Sequence, residues 1–263
     1  MNRKLAIATS DPRLSMWRSF IWLLPLACLL PTAVTAKQSD DPSREVAIRW
    51  DPSQGGPQSA EAAWVALGLA TGERSEYEVR YFQVLKGPAL PEGFDVIGRE
   101  RRRLVPANYE VTYKVRGASG TALSPPLAQW VCPLGKTKDR KDETDLVYVG
   151  GEQPREAMSR SCTIDSKNGF PPIPSDLTVR RNECSSMLVR LKRSDDPVVG
   201  VDLKVEEWRL RSGRKVIEVS VSGPRNAVDV NQFQLRVVDK LMTQHAVRPL
   251  SDSKTQLGST CKG

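Results

Sequence analysis

Arg99, Arg101 and Arg103 occupy alternate positions in the run Arg99-Glu100-Arg101-Arg102-Arg103. Alternate residues of a β-strand share one face, so the spacing makes one of two things. It is either a row of guanidiniums that binds an anion or a charged edge that resists aggregation. Arg190-Leu191-Lys192 repeats the arrangement, and Lys114 stands on the polar face where Glu110, Thr112, Lys114 and Arg116 alternate with Tyr109, Val111, Tyr113 and Val115. Such rows suit phosphate oxygens, which arginine and lysine bind through charge-assisted hydrogen bonds. Glu76-Tyr77-Glu78-Val79-Arg80 carries acids at the same spacing. Its simplest reading is the wet face of an antiparallel sheet.

Other chemistry is disfavoured by the residue types present. The one histidine, His245, falls at the end of an expected helix, where it suits the helix C-terminus. Cys132, Cys162, Cys184 and Cys261 are too widely spaced for a zinc site; in an exported chain they make two disulfides, with three connectivities open. The chain carries no GxSxG, P-loop, dinucleotide-binding glycine or HExxH motif. Its basic clusters are not interleaved with stacking aromatics, which argues against nucleic acid as a partner. Trp50, Trp64, Trp130 and Trp208 read as core or sheet-packing residues.

Positioning these rows falls to a series of strands. Residues 1–36 are set aside as a signal peptide: Arg13 and Arg18 precede an apolar run, and Ala33-Val34-Thr35-Ala36 offers a cleavage site. Cys28 lies within that run, followed by further apolar residues instead of the polar linker of a lipid-anchored chain. The run is too short for a membrane-spanning helix, so none is expected after cleavage, and the expected location is periplasmic or secreted. The chain has 39 basic and 31 acidic residues. Loss of Arg3, Lys4, Arg13, Arg18 and Asp11 leaves a modest basic excess, favourable to anionic partners.

Residues 37–263 read as one domain. Period-two alternation predicts strands over 44–50, 76–84, 94–104, 109–116, 177–181, 185–193, 198–210 and 215–222, with helices over 59–69 and 230–245. The charged stretch 136–145 reads as a loop leading into a strand at 146–150. The expected class is mostly β (α+β): an antiparallel β-barrel or strongly curved sheet with two or three helices.

In order and motif this resembles the CYTH superfamily, the triphosphate tunnel metalloenzymes. Glu45-Val46-Ala47-Ile48-Arg49 is similar to the opening ExExK strand, Tyr81-Phe82-Gln83-Val84 to the YFDT-like segment, and residues 99–103 to the LRxR-like strand. Thr112-Tyr113-Lys114 resembles the TxK strand, Arg190-Leu191-Lys192 the basic strand, residues 201–220 the acidic strand pair, and Ser253-Lys254-Thr255 the closing serine-lysine element. The resemblance implies ligand binding by Glu45, Arg49, Arg99, Arg101, Lys114, Arg190, Lys192 and Lys254, with Glu45 and Glu218 as the metal residues; Mg or Mn is implied if the enzyme alternative holds, and no cofactor is otherwise called for. The departures bear on catalysis, whose residues stay unassigned. Ala47 replaces the second acid of the opening strand, Gln83 replaces an aspartate, and Glu218-Val219-Ser220 lacks one carboxylate.

Three functions follow. The first is an exported CYTH-like protein that binds a phosphate-rich or other polyanionic ligand with little or no catalysis. The second is a metal-dependent triphosphate or polyphosphate hydrolase of the same fold. The third is an envelope structural or interaction protein with no small-molecule site. Convergence of Glu45, Glu143, Asp145, Glu206 and Glu218 in one cavity favours the hydrolase over the simple binder.

Overall fold

The computed structural model describes residues 42–70, 72–87, 93–117, 132–135, 139–150, 153–194, 196, 199–259 and 261. The signal segment, Cys28 and Trp130 lie outside them.

Alternating apolar residues with strand propensity form ten strands: β1 (Ser43–Trp50), β2 (Glu73–Lys86), β3 (Phe94–Arg103), β4 (Asn108–Gly117), β5 (Asp139–Tyr148), β6 (Arg155–Ser166), β7 (Thr178–Arg181), β8 (Ser186–Arg193), β9 (Asp202–Arg209) and β10 (Lys215–Pro224). They join in the order β3-β4-β6-β5-β1-β10-β9-β8-β2-β7, and β2 also pairs with β3. That last pairing closes nine strands into a barrel. Phe82 opposes Gly98 of β3 and Arg181 of β7, so β7 lies beyond β8 on the other edge of β2. All pairs are antiparallel except β1 with β5. The expected mostly-β barrel is therefore the fold, and closure removes the exposed strand edges that an open sheet would leave.

Two apolar layers coat the outside. Val46, Ile48 and Trp50 of β1, Leu203 and Val205 of β9, and Ile217, Val219 and Val221 of β10 pack against Phe233, Val237, Val238 and Leu241. Those last four belong to one continuous helical segment: α2 (Val230–Phe233), a π-helical turn (Gln234–Val238) and α3 (Asp239–His245). Asp229 caps its start by accepting from Gln232 N at 3.0 Å. Helix α1 (Ala60–Ala66) joins the same layer; Ser59 caps it, and the buried Glu207 accepts from Ala60 N at 3.1 Å. On the opposite wall Phe82, Val111, Tyr113, Val115 and Leu177 form a second layer, to which the Cys132–Cys162 disulfide fastens residues 132–135. The other disulfide joins Cys184 to Cys261, which settles the connectivity left open above.

Two expectations are corrected. Residues 139–145 belong to strand β5 and are no loop. Strand β6, over Arg155–Ser166, had no counterpart among the expected strands. The reason is common to both. Each lines a charged lumen and pairs edge to edge with the other, so neither shows the apolar alternation of a strand with one dry face.

Candidate functional site in the barrel lumen

On most strands the apolar face packs outward into the two apolar layers, and the charged face points into the barrel. Arg49 opposes Glu218 across β1 and β10, Glu206 opposes both Glu218 and Arg190, and Arg101 opposes both Val79 and Glu110. Arg99, Arg101 and Arg103 do share one face, and that face is the lumen. The outward acids Glu76 and Glu78 meet Arg74 and Arg102 instead, as expected of a wet sheet face.

One wall is basic. The Tyr77 ring lies between the guanidiniums of Arg101 and Arg190, 5.0 and 4.9 Å from its centroid. Burial and the neighbouring charges of Arg99 and Arg190 push Arg101 down to about 10, although Glu110 accepts from its Nε at 2.8 Å. Burial likewise lowers Lys204, whose Nζ donates to Ser222 Oγ at 2.7 Å. Among the described residues neither Arg99 nor Lys204 pairs with a carboxylate. Arg99 reaches only Thr112 Oγ1, at 3.5 Å. Lys192 sits further along the lumen, 2.7 Å from Asp202.

Acids gather across from this wall. Glu45, Glu143 and Asp145 each bring a carboxylate oxygen to within 4.8 Å of the other two. Glu45 and Asp145 are register partners on the parallel strands β1 and β5. Lys114 Nζ lies 3.1 Å from Asp145 and 3.5 Å from Glu143, and Arg116 lies 2.6 Å from Asp145. Lys141 also pairs with Glu143. Burial alone would raise Asp145, but Lys114 and Arg116 outweigh it and hold the carboxyl at about 2. For Glu45 the opposing pull of burial is overcome by Lys204 and Lys254, so its carboxyl is lowered too.

Glu206 and Glu218 stand apart from that trio but in the same lumen. Arg49 holds Glu218 at 3.0 Å, Arg190 holds Glu206 at 2.6 Å, and Lys254 bridges the two at 3.1 and 2.5 Å. The carboxylates that converge with Glu45 are those of Glu143 and Asp145, while Glu218, expected beside Glu45 on a metal, is engaged by Arg49 and Lys254.

Several lumen atoms have no hydrogen-bond partner among the described residues. Asp145 Oδ1 is buried with no donor, and Arg99, Arg103 and Arg116 each bury an Nε with no acceptor among the described residues. An unmet buried polar group is costly. Three convergent carboxylates with a spare oxygen fit a hard divalent cation such as Mg or Mn, which takes oxygen ligands. Spare guanidinium donors fit an anion.

Residues missed in the sequence are Glu110, Arg116, Lys141 and Lys204. Lys204 was legible, because Leu203 and Val205 flank it and fix its face. Lys141 was not, because β5 carries no apolar alternation at that end.

No protein-family model matches the chain, and no curated protein matches it. Similar solved structures include the following two. HpAC1 from Hippeastrum, described as having a dominant triphosphatase activity, is 10% identical over 83% of this chain and 96% of its own, with a TM-score of 0.47. The PH1819 protein from Pyrococcus horikoshii OT3 is 12% identical over 80% of this chain and 94% of its own, with a TM-score of 0.38. Likenesses this distant say nothing of activity. Strand order and closure define the class: a closed nine-stranded, mostly antiparallel β-barrel around a charged lumen.

Proposed function

We propose that this is an exported CYTH-like protein whose lumen binds a linear phosphate-rich polyanion together with a divalent cation. One observation carries the reading: spare buried guanidinium donors of Arg99, Arg103 and Arg116 share a lumen with the spare buried oxygen of Asp145. An anion and a cation bound together would satisfy both sets, whereas either alone would leave the other unmet. Glu45, Glu143 and Asp145 would hold Mg or Mn; when bound, the ion would neutralise phosphate charge and polarise a phosphoryl oxygen. Arg99, Arg101, Arg190 and Lys204 would bind the remaining phosphate oxygens. Two disulfides support an oxidising compartment, as export requires.

Metal-dependent hydrolysis is the second reading. It is favoured by the five carboxylates in one lumen, Glu45, Glu143, Asp145, Glu206 and Glu218. Thermal unfolding with tripolyphosphate, with and without manganese, tests binding, because a ligand of the folded state raises the melting temperature once it exceeds its Kd. The expected result is a rise with tripolyphosphate that grows with manganese. No rise under either condition overturns the proposal. Manganese-dependent phosphate release in the same samples would establish the second reading.

A further inference from the structure

Glu206 and Glu218 stand directly opposite each other on β9 and β10, both side chains nearly fully buried. Facing residues on adjacent strands have Cβ atoms about 5 Å apart, and like charges there repel. Arginines deal with only half of this pair. Arg190 takes Glu206 Oε1 at 2.8 Å and Arg49 takes Glu218 Oε2 at 3.0 Å. The other two oxygens, Glu206 Oε2 and Glu218 Oε1, converge on one ammonium, Lys254 Nζ, at 3.1 and 2.5 Å. Trp208 closes one side of that position, with its ring 5.6 Å from Nζ and its indole N–H donating to Glu206 Oε2 at 3.1 Å.

Lys254 does not come from the barrel. It is the first residue of helix α4 (Lys254–Ser259), carried by a segment anchored along its length. Pro249 bridges to Trp50, and Leu250 N donates to Arg49 O at 2.8 Å. Arg49 Nη1 donates to Asp252 O at 3.0 Å, and Asn182 Nδ2 to Ser259 O at 3.0 Å. Leu250 and Leu257 pack into an apolar cluster on the lumen side formed by Tyr77, Tyr81, Leu188 and Trp208. Gly258 lies so close to Tyr81 that a Cβ would come within 2.5 Å of the ring. Beyond the helix, Cys261 is bonded to Cys184.

We infer that Glu206 and Glu218 form a cation place which the chain fills with its own Lys254, so that the lumen accepts one divalent cation and not two. A tethered ammonium is present at high effective concentration, and free metal must displace it to reach these oxygens. The strap and its disulfide hold it there. The inference rests on the proposed reading only in counting the cation at Glu45, Glu143 and Asp145 as the first.

Titration calorimetry with manganese alone, on the oxidised protein, tests it. The wild type is expected to bind one ion and Lys254→Met two. The double variant Cys184→Ser/Cys261→Ser keeps the lysine but frees the far end of its strap, and a second, weaker ion is expected there. One ion in all three proteins overturns the inference and leaves the proposed metal place standing. None in the wild type and one in Lys254→Met upholds Lys254 as the occupant of the Glu206–Glu218 place and removes the metal from the proposed function. No ion in any of them overturns both. Should Lys254→Met fail to fold, a single ion in the double variant overturns the inference.

Discussion

Arg101 is where the lumen's electrostatics are most opposed. It is buried beside Arg99 and Arg190, and Glu110 offsets them in part. A bound polyanion would relieve that repulsion, so Arg101→Ala is expected to weaken tripolyphosphate binding by about tenfold or more, the scale of one lost charge-assisted hydrogen bond. Calorimetric Kd values check it; an unchanged affinity would place the ligand elsewhere. Asp145 gives a pH signature. Its carboxyl lies at about 2 in the folded chain against an ordinary 3.8, held down by Lys114 and Arg116 against burial. A depressed carboxyl contributes stability that is fully present above about pH 4 and is lost as pH falls through about 2. The stability gap between wild type and Asp145→Asn, read by urea unfolding, should therefore close between those values.

At the scale of elements, close approaches fix how the strands curve. Gly98 of β3 faces Phe82 of β2, and a Cβ there would come within 2.1 Å of the ring. Gly98→Ala is expected to destabilise the barrel by about 1–3 kcal/mol, the usual cost of overpacking, measurable as a lowered denaturant midpoint with an unchanged slope. The Cys132–Cys162 bond closes a loop of 30 residues onto the outer wall of β4 and β6. Its removal by paired serine substitution should cost about 3–4 kcal/mol on the chain-entropy account. A much smaller loss would mean that residues 132–135 pack onto that wall without the bond.

For the molecule as a whole, charge is organised by closure. The chain carries a net charge of +8, and within the barrel its acids and bases meet in ion pairs. Binding of tripolyphosphate is expected to weaken as salt rises from 50 to 500 mM, with lumen pairs screened less than surface ones. Affinity that ignores salt would speak against a charge-driven ligand. Among the described residues no helix is long and apolar enough to cross a membrane. Export predicts a mature protein beginning at Lys37, which mass spectrometry of the secreted chain would read directly.

The linear order of residues determined much of this. Alternation of Tyr109, Val111, Tyr113 and Val115 with Glu110, Thr112, Lys114 and Arg116 assigned both strand type and face, because a period of two leaves only two faces to choose from. The same logic put Arg99, Arg101 and Arg103 on one side. It could not say that this side was the inside, since a wet sheet face and a charged lumen have the same pattern. Closure of β2 onto β3 decided that. Nor could spacing show that Asp145, a hundred residues from Glu45, lies beside it; the parallel pairing of β1 with β5 decided that. Lys254 is the plainest case. Its sequence neighbours reveal nothing of Glu206 and Glu218, and only a strap folded back into the barrel brings one ammonium between two buried carboxylates.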